Sequence, residues 1–479
     1  MHRARCFAGF LSIKSCEWLL ASLVCLFLPF ARGQEPSPPE TPVPINPRDF
    51  GLNLPPGIVK LGENQVVTTT DSDNQPIIGR VHVNVGSNAI VMLPTGELVA
   101  RRKGQFSPSD RKFEPLEKNK LIARLAAEFP SFKTKASNHY IYVYNSSDEF
   151  QFGTGRILES MLPGVKGWAE GCRMEVKEPA LPLVVVMFRT ETEFNRHRRM
   201  PAGVVAYYDP VTNRVFMYEQ SRLSQIRPDL ALGQAISTIA HEGVHQILHN
   251  IGVQQRLSVW PMWLSEGLAE FFAPTTVGAK MRWKGPGQVN DLRMFELEQY
   301  VRGKSAEDTA GELVEHTVLA GRLTSTGYAS AWALVHYLAK FKKPELVALV
   351  REASEIGPLS GATDITSLGV VRANRDAFVN KLGDNFTDLE SRVIAHLKKL
   401  EYNDPFLDAP HFVATFVSGS GRRSQKSANT FHSLPLASKW VNDMREKLPE
   451  ADRGASQAKI LGFPNRPQAD AFARQFLAQ

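Results

Sequence analysis

Cysteine is scarce in this chain: only 4 of 479 residues are cysteine, and Cys6, Cys16 and Cys25 fall within the first 33. With that segment removed Cys172 stands alone, no internal disulfide can form, and the fold must rest on its apolar core. Charge of one sign is also lacking. The 56 Lys and Arg face 49 Asp and Glu, and beyond residue 33 the balance is 52 against 48. So small an excess carries no information on membrane partners, and no nucleic-acid partner is expected. Long apolar runs are missing as well, since the longest, 18–30, falls short of a membrane span. It reads instead as the core of a secretory signal over 1–33, with Arg3, Arg5 and Lys14 ahead of it and Ala31-Arg32-Gly33 as the cleavage region. The chain is therefore expected outside the cytoplasm: periplasmic, cell-surface or secreted. It would meet a membrane only if that signal stays uncleaved.

Beyond residue 33 the chain divides into four parts. Residues 34–56 are crowded with proline, have few apolar residues, and are expected to form an extended linker. Residues 57–117 hold β-branched runs separated by turn residues, which predicts a small β module packed on its neighbour. Residues 118–407 alternate strand and helix signals. Strands are expected over 139–144 and 181–188 and in a hairpin over 204–218, with helices over 118–129, 150–171, 344–355 and 374–400. Residues 408–479 read as two βα units, strands 411–417 and 458–463 with helices 436–448 and 468–477, plus a basic loop at 421–426. The whole is an α+β protein.

The chemistry concentrates between 229 and 274. His241-Glu242-Gly243-Val244-His245 sits in an apolar-periodic stretch that opens at Pro228-Asp229 and closes at Gly252, the marks of a long amphipathic helix. On a helix, residues four apart lie one above the other, so both imidazoles reach one ion. Glu242, beside that ion rather than on it, is placed to take a proton from water. A tetrahedral zinc with one open position needs a third protein ligand. His249 continues the spacing, but another turn carries it ~6 Å further along the axis, so it reads as a helix-surface histidine. Glu266, in the second helix bracketed by Pro261 and Pro274, is the better candidate.

These residues carry a resemblance. A His-Glu-x-x-His helix followed some twenty residues later by Trp263-Leu264-Ser265-Glu266-Gly267 is similar to the gluzincin metallopeptidases, the superfamily of thermolysin-like proteases and zinc aminopeptidases. The resemblance implies a mixed sheet, the zinc helix and a helical subdomain. It gives Glu266 as third zinc ligand and Glu270 as the carboxylate that holds His241. It also implies that the hairpin could line the peptide groove, the alternative being a plain sheet hairpin. Gly327-Tyr328-Ala329-Ser330-Ala331-Trp332 resembles the aminopeptidase helix whose leading tyrosine stabilises the oxyanion, which gives Tyr328 that role; the other reading is a tyrosine opening an ordinary core helix. No Gly-x-Met-Glu-Asn stretch precedes the zinc helix, so endopeptidase action is favoured over amino-terminal trimming.

The expected function is hydrolysis of peptides or proteins by an exported zinc enzyme. The alternative is a cell-envelope binding or scaffolding protein with a structural zinc. A faint similarity of Gly462-Phe463 and Gln468-Ala469-Asp470-Ala471 to sporulation-related repeats adds cell-wall glycan as a candidate partner of 408–479.

Overall fold

The computed structural model describes residues 45–478 apart from 72–73, 222, 227, 277–280, 304–310, 361–367 and 420–423. The expected leader, the linker before residue 45 and part of the basic loop lie outside these residues. Contacts divide the chain into two units: 45–288 with 316–324 and 335–384, and 289–315 with 325–334 and 385–478. Neither boundary at 117/118 nor that at 407/408 coincides with this division.

In the first unit, six strands form an antiparallel sheet: β1 (Val59–Leu61), β2 (Val66–Thr70), β3 (Pro76–Val85), β4 (Asn88–Met92), β5 (Leu98–Arg101) and β6 (Ser107–Pro108). One core of this unit joins Val83, Val85, Ile90 and Leu98 to Leu257 and Leu359. The β module is thus part of the larger unit, as its expected packing requires. The linker reading fails at its C-terminal end, where Ile45, Leu52 and Leu54 are buried in that same core. Enough apolar residues stand among the prolines to anchor the segment.

The second sheet runs β10-β11-β9-β8-β7, with β7 (Lys133–Ala136), β8 (Tyr140–Tyr144), β9 (Leu183–Thr190), β10 (Ala206–Asp209) and β11 (Arg214–Gln220). Strands β8, β9 and β11 are parallel, while β7 and β10 are antiparallel edges. Alternation sends Tyr142, Val185, Val215 and Tyr208 to one face and Phe188, Phe216 and Tyr207 to the other. Helices α1 (Lys118–Glu128) and α3 (Glu191–His197) belong to the aromatic face, where Phe194 and His197 meet Phe188 and Phe216. Opposite lie α2 (Asp148–Gly171) and, after the one-turn α4 (Leu223–Ile226), α5 (Pro228–Ile251).

Helix α5 departs from the amphipathic expectation. Ala235, Ile236, Ile239, Ala240, His241, Val244, Gln246, Ile247, Leu248 and Ile251 are all buried, so apolar residues cover most of its circumference, the pattern of a central helix. It ends as expected at Gly252, which takes φ +89°. Helix α6 (Met262–Phe272) packs on it, and its last carbonyls are met by the Trp283 indole (2.6 Å to Phe272 O) and the Gly287 amide (3.1 Å to Phe271 O).

Two-residue strands β12 (Thr275–Thr276) and β13 (Arg282–Trp283) come next, then α7 (Asp291–Gly303), α8 (Glu312–Leu319), α9 (Ser325–Phe341) and α10 (Lys343–Ser354). The single helix expected over 374–400 is two, α11 (Leu368–Leu382) and α12 (Phe386–Leu397). Gly383 at φ +81° ends the first and the Asn385 side chain caps the second.

In the second unit, the C-terminal segment adds an antiparallel sheet β15-β14-β16, from β14 (His411–Ser418), β15 (Gln425–Phe431) and β16 (Gln457–Phe463). Strand β15 starts where the basic loop is expected to end, so the segment is not two βα units. Helix α13 (Leu434–Glu446) covers one face through Ala437 and Val441; after the one-turn α14 (Glu450–Arg453), α15 (Arg466–Ala478) covers the other through Ala469 and Ala473. Buried Arg466 ties α15 to Glu298 of α7 (2.6 Å) and to Asp404 (2.5 Å). Among the described residues no helix is long and apolar enough to cross a membrane.

Candidate metal centre

Helical spacing places His241 and His245 on the α6 side of α5, and Pro261 aims α6 so that Glu266 and Glu270, one turn apart, face them. The Nε2 atoms of the two histidines lie 3.3 Å apart. Glu266 Oε2 is 3.0 Å from His241 Nε2 and 3.6 Å from His245 Nε2. All donors of this trio fall within 4.8 Å of one another, the one such grouping among the described residues. Two ligands at ~2.0–2.1 Å from a tetrahedral zinc are ~3.3–3.4 Å apart, a value the three separations straddle. Two imidazoles, a carboxylate and this spacing fit zinc.

Glu270 is 3.0 Å from His241 Nδ1, on the far side of the ring from the trio. Burial opposes charge on His241, but hydrogen bonds with Glu266 and Glu270 raise its pKa well above the ordinary histidine value. Burial also works against the Glu266 carboxylate, yet the imidazoles of His245 and His241 hold it well below the usual range. His241 and Glu266 are therefore a charged, tightly paired couple.

Glu242 stands apart. It points toward the sheet, where the Tyr208 backbone N–H donates to its Oε2 at 2.8 Å. Burial raises its pKa, against the lowering effect of His241 and His245. A carboxyl with raised pKa beside two imidazoles and a carboxylate is suited to carrying a proton.

A polar row runs down the same side of α5. Below Glu242, buried Gln246 donates to Val184 O (3.1 Å) and Asn213 O (2.9 Å), and Asn250 exchanges hydrogen bonds with the Asn213 side chain at 2.9 and 2.8 Å. Buried Arg256 then donates to Pro210 O, Val211 O and Gly96 O at 2.6 to 2.8 Å, pinning the hairpin turn from the first sheet. Positions 242, 246 and 250 repeat every four residues, a sign that was present in the sequence. The surface reading of His249 is wrong: the ring is half-buried and stacked on Tyr208 at 5.3 Å.

Tyr328 lies in the first turns of α9, in the second unit, with the Arg293 guanidinium 5.3 Å above its ring. Tyr337, further along the same helix, is buried. A cleft of about 550 Å³ lies elsewhere, at the C-terminal end of α5, with Arg173, Lys177 and Arg351 in its lining. Cations belong there, where α2, α5 and α10 all end.

A family model described as a protein of unknown function (DUF1570) matches residues 235–360, about a quarter of the chain. That span contains His241, Glu242, His245, Glu266, Glu270 and Tyr328. Comparison with curated proteins finds no match.

Proposed function

We propose that this chain is an exported zinc-dependent peptide hydrolase with a gluzincin-like catalytic domain, acting within peptides rather than trimming their amino termini. The observation that carries this reading is the trio of His241, His245 and Glu266 within 4.8 Å, with half-buried Glu242 beside it on the same helix. Bound there, zinc supplies Lewis acidity toward a carbonyl and lowers the pKa of water to ~7. Glu270 fixes the His241 ring so that Nε2 faces the trio. Glu242 takes the proton of the attacking water and returns it to the leaving amine, a transfer its raised pKa favours. The Tyr208 amide holds that carboxylate in place meanwhile. The resemblance alone gives Tyr328, a residue of the second unit, an oxyanion role.

Strand β10 is the outer strand of its sheet, and the Tyr208 amide that reaches Glu242 points away from β11. A peptide pairing along that edge has to displace what covers it, since Ala206 is 1% and Tyr208 6% exposed.

The test is zinc content and cleavage of an unbiased peptide mixture, for wild type and Glu242→Gln. Both are expected to bind one zinc, with cleavage falling ~10²–10⁴-fold in the variant. Zinc in both without cleavage would favour a structural site and the scaffolding alternative. Absence of metal from both would end the zinc reading.

A further inference from the structure

One group on the metal helix has no part in the proposed reaction. His249 continues the spacing of His241 and His245, yet its ring lies nearly flat on Tyr208, with planes at 26° and centroids 5.3 Å apart. Its Nδ1 is buried without a hydrogen-bond partner, and burial depresses its pKa to about 3. A neutral ring with Nδ1 unbonded and the Gln254 backbone as its hydrogen-bond partner is not set for proton transfer, and it offers its face to Tyr208.

What that face touches gives it consequence. Tyr208 is held at three points: its amide donates to Glu242 Oε2 at 2.8 Å, its hydroxyl to Asn213 Oδ1 at 2.8 Å, and its ring rests on His249. Asn213 is itself bound by Asn250 and Gln246. Four residues of α5, at 242, 246, 249 and 250, therefore grip one hairpin, and the first of them is the proposed base.

We propose that His249 is a positioning residue: through the Tyr208 ring it fixes the strand amide that holds Glu242. Its effect on rate rests on the reading of Glu242 as general base; its effect on the amide does not. On its outer side β10 has no strand neighbour, so beyond its ladder with β11 the Tyr208 amide is steadied by contacts from α5. Stacking sets the height, and the Asn213 bond sets the rotation of the tyrosine.

The experiment compares wild type, His249→Ala, His249→Phe and His249→Leu in the zinc-loaded protein. Hydrogen exchange is read at the Tyr208 amide, and kcat and KM on one cleaved peptide. His249→Ala is expected to exchange that amide about 3- to 10-fold faster and to lose kcat by a similar factor, with KM and zinc content unchanged. His249→Phe, which keeps the aromatic face and drops the nitrogens, is expected to restore both. His249→Leu fills the volume without an aromatic face, should behave like the alanine variant, and covers the case in which alanine does not fold. Equal exchange in all four proteins would overturn the proposal. So would a phenylalanine variant as impaired as alanine. If wild type cuts no peptide, the catalytic reading fails, while the exchange rates still decide the role of His249.

Discussion

At His241 two carboxylates act against burial, and the one that is not a proposed ligand has the more testable role. Glu270 sits 3.0 Å from Nδ1 and is itself buried, so it fixes the tautomer that leaves Nε2 to an ion. Glu270→Ala is expected to weaken zinc binding about 10- to 100-fold, measured by competition with a chelator of known affinity. A variant that binds zinc as tightly as wild type would remove Glu270 from the centre. The grouping of His241, His245 and Glu266 was legible in the sequence because a helix has a fixed period, whereas Glu270 came only from the resemblance. The Tyr208 amide was not legible. A backbone donor has no residue type, and its direction depends on which edge of which sheet it occupies.

Helix α2 shows how far packing overrides propensity. Gly164 and Gly167 lie one turn apart on it, and alanine at either should stabilise an isolated helix by ~1 kcal/mol. A Cβ on Gly164 would come 2.1 Å from a ring carbon of Trp283, whereas one on Gly167 meets nothing within 4 Å. Gly167→Ala is therefore expected to gain ~0.5–1 kcal/mol and Gly164→Ala to lose ~1–3 kcal/mol in denaturant unfolding. The loss arises because Trp283 must move, and its indole caps α6, the helix of Glu266. Elements differed in how plainly the sequence announced them. Apolar periodicity gave α5 and α6 nearly to the residue. Strand β15, Gln-Lys-Ser-Ala-Asn-Thr-Phe, has a polar edge-strand composition without apolar alternation, so it reads as loop. The break between α11 and α12 depends on one glycine at positive φ, which a helical pattern on both sides conceals.

On the scale of the whole molecule, acid should loosen the first unit by way of His82. His82 donates to Arg256 O from a site where burial lowers its pKa from 6.5 to about 4. The unfolded chain binds this proton below pH 6.5 and the folded one only near pH 4, so His82 costs stability as pH falls between those values. The slope is about 1.4 kcal/mol per pH unit at most. His82→Gln, which keeps a donor, is expected to flatten the pH dependence of urea unfolding across that window, and an unchanged slope would show that His82 is not the group responsible. The α+β class was readable from the sequence, and the division into units was not. Residues 289–315 and 325–334 belong with the C-terminal segment through contacts that no local pattern encodes.

Arg466 adds a consequence in time. Its partner Glu298 precedes it by 168 residues, and Asp404 by 62. During synthesis at ~5–20 residues per second, Glu298 waits roughly 10–30 s before its cation is made. Through the later part of that interval Glu298 has the Tyr402 hydroxyl as donor but not yet its guanidinium. Helix α7 is thus fastened in two stages, first by Tyr402 and Asn403 and later, when α15 is made, by the Arg466 guanidinium.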